Sequence, residues 1–152
     1  MPKMSPDSLH ALMMAMQNEL DTVQIYEHML KHVTNPQGRE LLHRLIVEEH
    51  NHEQKIREKF LQAGGELSEP DLNEHEVDFP NRDQLFEIEL SNCTVSELVN
   101  LAIECEQMNL DFYRVQQTRT KNEEVQNIFK WLENQEELHI SNLKNEYGSY
   151  LS

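Results

Sequence analysis

The chain has 152 residues, the size of one ordinary domain around a single core, and its 4 Gly and 5 Pro beside many Glu, Leu, Gln, Asn and Met favour an all-α fold. Acids outnumber bases 28 to 13, a net charge of -15 that excludes a nucleic-acid partner, because affinity for polyphosphate comes from Lys and Arg displacing counterions. Cys93 and Cys105 are too few for a disulfide framework and form no C-x-x-C pattern; the longest N-terminal apolar run, Ala11 to Met16, is too short for a signal or membrane segment, so a cytoplasmic protein without membrane association is expected.

From about 8 to 33 the apolar residues Leu12, Met16, Val23, Tyr26 and Leu30 keep a helical period behind Ser5 or Asp7 as N-cap. The breaker cluster Asn35-Pro36-Gln37-Gly38 precedes a second helix over about 37–63, with Leu42, Leu45, Ile56 and Phe60 in period until Gly64-Gly65. Residues 64–93 lose the period, carry Pro70 and Pro80, and hold at most a short helix around Asn81 to Glu89; they read as a crossover along a bundle. A third helix over about 95–118 starts behind Thr94 or Ser96 and runs through Val99, Ile103, Leu110 and Tyr113. The fourth, about 122–147, places Ile128, Phe129, Leu132, Leu143 and Tyr147 on one stripe. The expected architecture is one domain of two antiparallel hairpins joined by a long connection.

The second half repeats the first at a shift of 87 residues. Glu19 matches Glu106, Tyr26 matches Tyr113, Glu49 matches Glu136 and His52 matches His139. Ala15 and Ala102, Leu45 and Leu132, Ile56 and Leu143, and Phe60 and Tyr147 follow the same register. A duplicated helical hairpin with pseudo-twofold symmetry explains this agreement.

Glu19, Glu49, His52, Glu106, Glu136 and His139 all fall where the period demands an apolar core residue. Four unpaired carboxylates in a core would cost roughly several kcal/mol each, so they need counter-charge or protons. Two divalent cations would bring four positive charges to meet the four negative ones. Glu-x-x-His sets an oxygen and an imidazole nitrogen on adjacent turns of one helix face, and two such pairs plus one Glu from each remaining helix form a di-iron or di-manganese carboxylate pattern. A third Glu-x-x-His, Glu40 and His43, lies nine residues before Glu49 and His52, about 900° of rotation at ~100° per residue, and should be a solvated pair on the far side of its helix.

His10, His28, His32, His43, His50 and His75 stand outside the repeat and read as surface residues. Tyr26 and Tyr113, two turns after Glu19 and Glu106, either pack the core or bond a ligand carboxylate through their hydroxyls. Trp131, Met13, Met14, Met16 and Met108 read as core filler.

The motifs E-L-D-T-V-Q-I-Y at Glu19 to Tyr26, E-H-N-H at Glu49 to His52, E-Q-M-N-L-D-F-Y at Glu106 to Tyr113 and E-E-L-H at Glu136 to His139 resemble the rubrerythrin and ferritin-like superfamily, over roughly Ser8 to Tyr147. The resemblance implies a ferritin-like four-helix bundle holding two iron ions per chain, with manganese or zinc as substitutes. It implies Glu49 and Glu136 as bridging ligands, Glu19 and Glu106 as terminal ones, and His52 and His139 on one ion each. It also implies reduction of hydrogen peroxide or dioxygen with an external electron donor such as a rubredoxin-like protein, in a homodimer.

Three departures bear on that expectation. Asn109 stands where rubrerythrins carry a further glutamate, no rubredoxin-type cysteine quartet is present, and His50 stands where bacterioferritins place a haem-binding methionine. The few residues after the fourth helix leave no room for the fifth helix of ferritin cages. Ferritin-like iron oxidation and storage, or a metal-binding module without turnover, are the alternatives; a bundle with an empty site would have to share protons among its carboxyls.

Overall fold

The computed structural model describes residues 4–66 and 90–150. Four long helices account for nearly all of them: α1 Pro6–His32, α2 Pro36–Gln62, α3 Val95–Arg119 and α4 Glu123–Tyr147. α1 packs on α2 and α3 on α4 as two hairpins, with the long connection between α2 and α3. Most of that crossover, including the short helix expected around Asn81 to Glu89, and His75 lie outside the described residues; its end is a 3-10 turn, Leu90–Asn92.

Local chemistry sets the helix ends. Ser5, not Asp7, caps α1: its hydroxyl accepts from the Ser8 N–H at 3.2 Å, with Pro6 at the first helical position. The Asn35 side chain accepts from the N–H groups of Gln37 and Gly38, and Asn122 does the same for Glu124 and Val125. α3 starts with a reciprocal capping box: Thr94 Oγ1 accepts from the Glu97 N–H while Glu97 Oε1 accepts from the Thr94 N–H. α2 ends at Gly64, whose φ of 94° lies in the left-handed region, so that the Gly64 and Gly65 N–H groups turn back to the carbonyls of Leu61 and Phe60.

The hairpins meet closely at Gly38, where a Cβ would lie 3.0 Å from Leu98 and 3.1 Å from Val33. The core divides into two apolar clusters. One contains Tyr26, Met29, Leu41, Leu42, Leu45, Leu98, Val99, Ala102 and Leu143; the other contains Leu12, Ala15, Met16, Ile56, Phe60, Tyr113, Ile128, Phe129 and Leu132. The 87-residue repeat carries each cluster onto the other: Leu12 pairs with Val99, Ala15 with Ala102, Leu45 with Leu132 and Ile56 with Leu143. The two halves are thus related by a pseudo-twofold that exchanges the ends of the bundle, and its inward carboxylates lie between the clusters. Among the described residues no helix is long and apolar enough to cross a membrane.

Core filling differs in one respect from the expectation. Met16 is fully buried, but Met13, Met14, Met108 and Trp131 are half-buried, because the inward stripe is already occupied by their neighbours Leu12, Met16, Leu110 and Leu132. Cys93 and Cys105 are buried free thiols; burial, then the nearby Glu106 charge, pushes Cys105 up to about 12. Thr94→Ala should cost about 1 kcal/mol of stability in urea unfolding, whereas Ser96→Ala should stay within about 0.5 kcal/mol; equal losses would show that the capping box does not hold the start of α3.

Candidate metal centre

α1 contributes Glu19, α2 Glu49 and His52, α3 Glu106, and α4 Glu136 and His139. The four glutamates are almost completely removed from solvent. His52 Nδ1 lies 3.2 Å from Glu19 Oε1 and 3.5 Å from Glu136 Oε1. His139 Nδ1 lies 3.5 Å from Glu49 Oε1 and 3.7 Å from Glu106 Oε2. The two imidazole centroids are 5.1 Å apart. Ligand atoms of Glu49, His52, Glu136 and His139 all lie within 4.8 Å of one another, a candidate metal site. All six residues singled out by the repeat therefore converge. Glu40 and His43 are exposed, as are His10, His28, His32 and His50.

The tyrosines sort the carboxylates into two kinds. Tyr26 Oη donates to Glu106 Oε1 at 2.8 Å, and Tyr113 Oη donates to Glu19 Oε1 at 2.9 Å. Each hydroxyl thus crosses between α1 and α3 to the other half of the duplication. Burial, then the facing carboxylate charges, pushes both phenols well above their ordinary value, so both remain donors. Glu19 Oε2 and Glu106 Oε2 are buried without a hydrogen-bond partner, and so are both oxygens of Glu49, both oxygens of Glu136 and both nitrogens of His52. Native structures rarely leave buried polar atoms unmade in this way, because each costs about 1–3 kcal/mol. Eight such atoms on converging side chains are what a pair of divalent cations would satisfy, and a donor set of carboxylates with two imidazoles suits iron or manganese.

Proton placement follows from the same crowding. Burial, then the negative charge of Glu106 and Glu19, raises Glu49 well above the usual carboxylate range; the same causes raise Glu136. Burial also pushes Glu19 and Glu106 upward, but the closely placed carboxyls and imidazoles around them outweigh it, leaving Glu19 well below its ordinary value and Glu106 at about 2. For His139 burial works downward and is outweighed by the nearby Glu106 carboxylate, so the imidazole is raised. Burial and the neighbouring carboxylate charges thus favour the protonated form of Glu49 and Glu136 when no cation is bound.

The rubrerythrin family model matches residues 10–147, which span all six of these residues and both tyrosines. The chain belongs to the rubrerythrin family. Comparison with curated proteins and with solved structures gives no match. Within this rubrerythrin-family fold, Asn109 is buried and engaged away from the cluster: its Nδ2 donates to Thr22 Oγ1 at 3.0 Å, and its Oδ1 accepts from Asn18 Nδ2 at 3.1 Å. Asn18 Nδ2 also reaches Tyr113 Oη at 3.3 Å.

Two features beside the site carry no periodic or motif signal of their own. One is this bridge of Asn18, Thr22 and Asn109; the shift of 87 does pair Thr22 with Asn109, but as unlike residues. The other is Trp131, whose ring centroid lies 6.4 Å from that of His52.

Coordinating carboxylates bind ionised, and burial favours protons on Glu49 and Glu136, so metal binding is expected to release protons. Titrating the metal-free protein with a divalent cation at pH 7 in weak buffer should therefore release about two protons or more per chain, and affinity should rise with pH. Binding without proton release would show that the carboxyls are already ionised. The bound cations should also raise the melting temperature, an effect lost with excess chelator.

Proposed function

We propose that this rubrerythrin-family chain holds two iron ions between its helices and reduces hydrogen peroxide or dioxygen with electrons from an external donor, working as a homodimer. The observation that carries this reading is the division among the four carboxylates. Glu49 and Glu136 keep both oxygens unpartnered, as bridging ligands need, while Glu19 and Glu106 each give one oxygen to a tyrosine and keep one, as terminal ligands need. His52 and His139 would then hold one ion each, within the helix-spaced Glu-x-x-His pairs.

When bound, the iron pair would supply electrons and Lewis acidity. The chain's own part is to hold and to exclude. Tyr26 and Tyr113 fix the direction of the terminal carboxylates, and their retained protons keep Oη a donor. The apolar clusters on either side keep bulk water from the carboxylates and strengthen every electrostatic interaction between them. Tyr113 Oη donates to Glu19 Oε1 and accepts from Nδ2 of the half-buried Asn18, so the amide holds the phenol in the orientation that serves the carboxylate.

The double variant Glu49→Ala, Glu136→Ala should keep its helical circular dichroism and lose peroxide consumption by roughly a hundredfold or more; undiminished consumption would sink the proposal. Iron content of about two per chain supports a fixed centre, whereas uptake far beyond that would move the reading to iron storage.

A further inference from the structure

The duplication leaves the two histidine ends of the site unequally covered. On the His52 side, Trp131 lies against the imidazole with an interplanar angle of 59°, and Lys59 Nζ sits 5.1 Å from the indole centroid. The His52 side chain is 2% exposed. The shift of 87 carries Trp131 to Arg44 and Lys59 to Glu146, so the same two stations recur at the His139 end with different residues. There Arg44 pairs with Glu146, lies 5.7 Å from the Tyr147 ring centroid and donates from Nη1 to Tyr147 Oη at 2.9 Å, with no indole at that station. Arg44 and Glu146 are 45% and 41% exposed, and His139 is 20% exposed. Among the described residues, no aromatic ring except His52 itself lies against His139.

An aromatic side chain packed on an imidazole keeps water and ions from it, and the apolar shell around a metal site governs solvent access. An arginine held at the surface by a glutamate and a tyrosine does not. We propose that Trp131 closes the His52 end, that divalent cations enter and leave by the His139 end, and that the two metal positions therefore exchange at different rates. This rests on the reading that the six residues hold two ions. The net charge of -15 draws cations toward the protein as a whole, and the uneven cover decides where they pass inward.

Two measurements test the proposal. The first needs no metal: acylation of the metal-free protein with diethylpyrocarbonate, followed by peptide mapping. His139 should react roughly tenfold faster than His52. Trp131→Ala should bring His52 up to the rate of His139. The double variant Arg44→Trp, Glu146→Lys, which places the Trp131 and Lys59 pair at the other end, should protect His139. Equal rates for the two histidines in the unaltered protein, or variants without effect on them, would overturn the proposal.

The second is uptake of Co(II), followed by its visible absorption. Two phases separated by roughly tenfold are expected; Trp131→Ala should accelerate the slower one and Arg44→Trp, Glu146→Lys should retard the faster one. Two ions bound in a single phase, unmoved by either variant, would overturn unequal access while leaving the site itself in place. Failure to bind Co(II) at equilibrium would instead remove the two-ion reading, and the acylation pattern would still decide which end is covered.

Discussion

Four carboxyl groups meet at the middle of an apolar bundle, and their mutual repulsion is the constraint that the surrounding structure answers. Nothing in the hydrophobic effect favours glutamate at Glu19, Glu49, Glu106 or Glu136, because each replaces a side chain that would pack against its neighbours without charge. Burial and repulsion favour protons on Glu49 and Glu136 in the metal-free state, and cations would relieve the repulsion more completely. The helices themselves are stabilised elsewhere, by the apolar clusters at either end and by side-chain caps at every helix start. The bundle can therefore carry a strained polar layer without depending on it for its fold.

Duplication supplies an economical way to build such a layer. One hairpin provides a carboxylate, a tyrosine two turns later, and a Glu-x-x-His pair; a second copy brought up by a pseudo-twofold completes the set. Each tyrosine serves the carboxylate of the other copy, so neither hairpin organises its own Glu19 or Glu106. The tyrosine bonds also tie α1 to α3 across the bundle, where helix pairing within the hairpins cannot reach.

The copies have diverged where symmetry is not required for holding the donors. Thr22 and Asn109 are equivalent positions that bond each other as a neutral bridge. A neutral amide already engaged by Thr22 and Asn18 leaves the charge balance to four carboxylates. Trp131 and Arg44 are equivalent in the same sense, and there the divergence changes how much of each histidine meets solvent.

The sequence by itself determined the helices, their order and the six converging residues, because a period of 3.6 turns apolar spacing into a buried stripe and a shift of 87 exposes charges that interrupt that stripe twice in register. It also separated Glu40 and His43 from the cluster, since helical rotation alone puts them on the opposite face. Which carboxylate each tyrosine would bond was decided only by the tertiary structure, since period places Tyr26 on the face of Glu19 but the partner, Glu106, comes from another helix. The same holds for the engagement of Asn109 with Asn18 and Thr22 and for the ring of Trp131 beside His52. Periodicity describes one helix at a time; contacts between helices depend on their packing distance and rotation, which side-chain volumes set jointly.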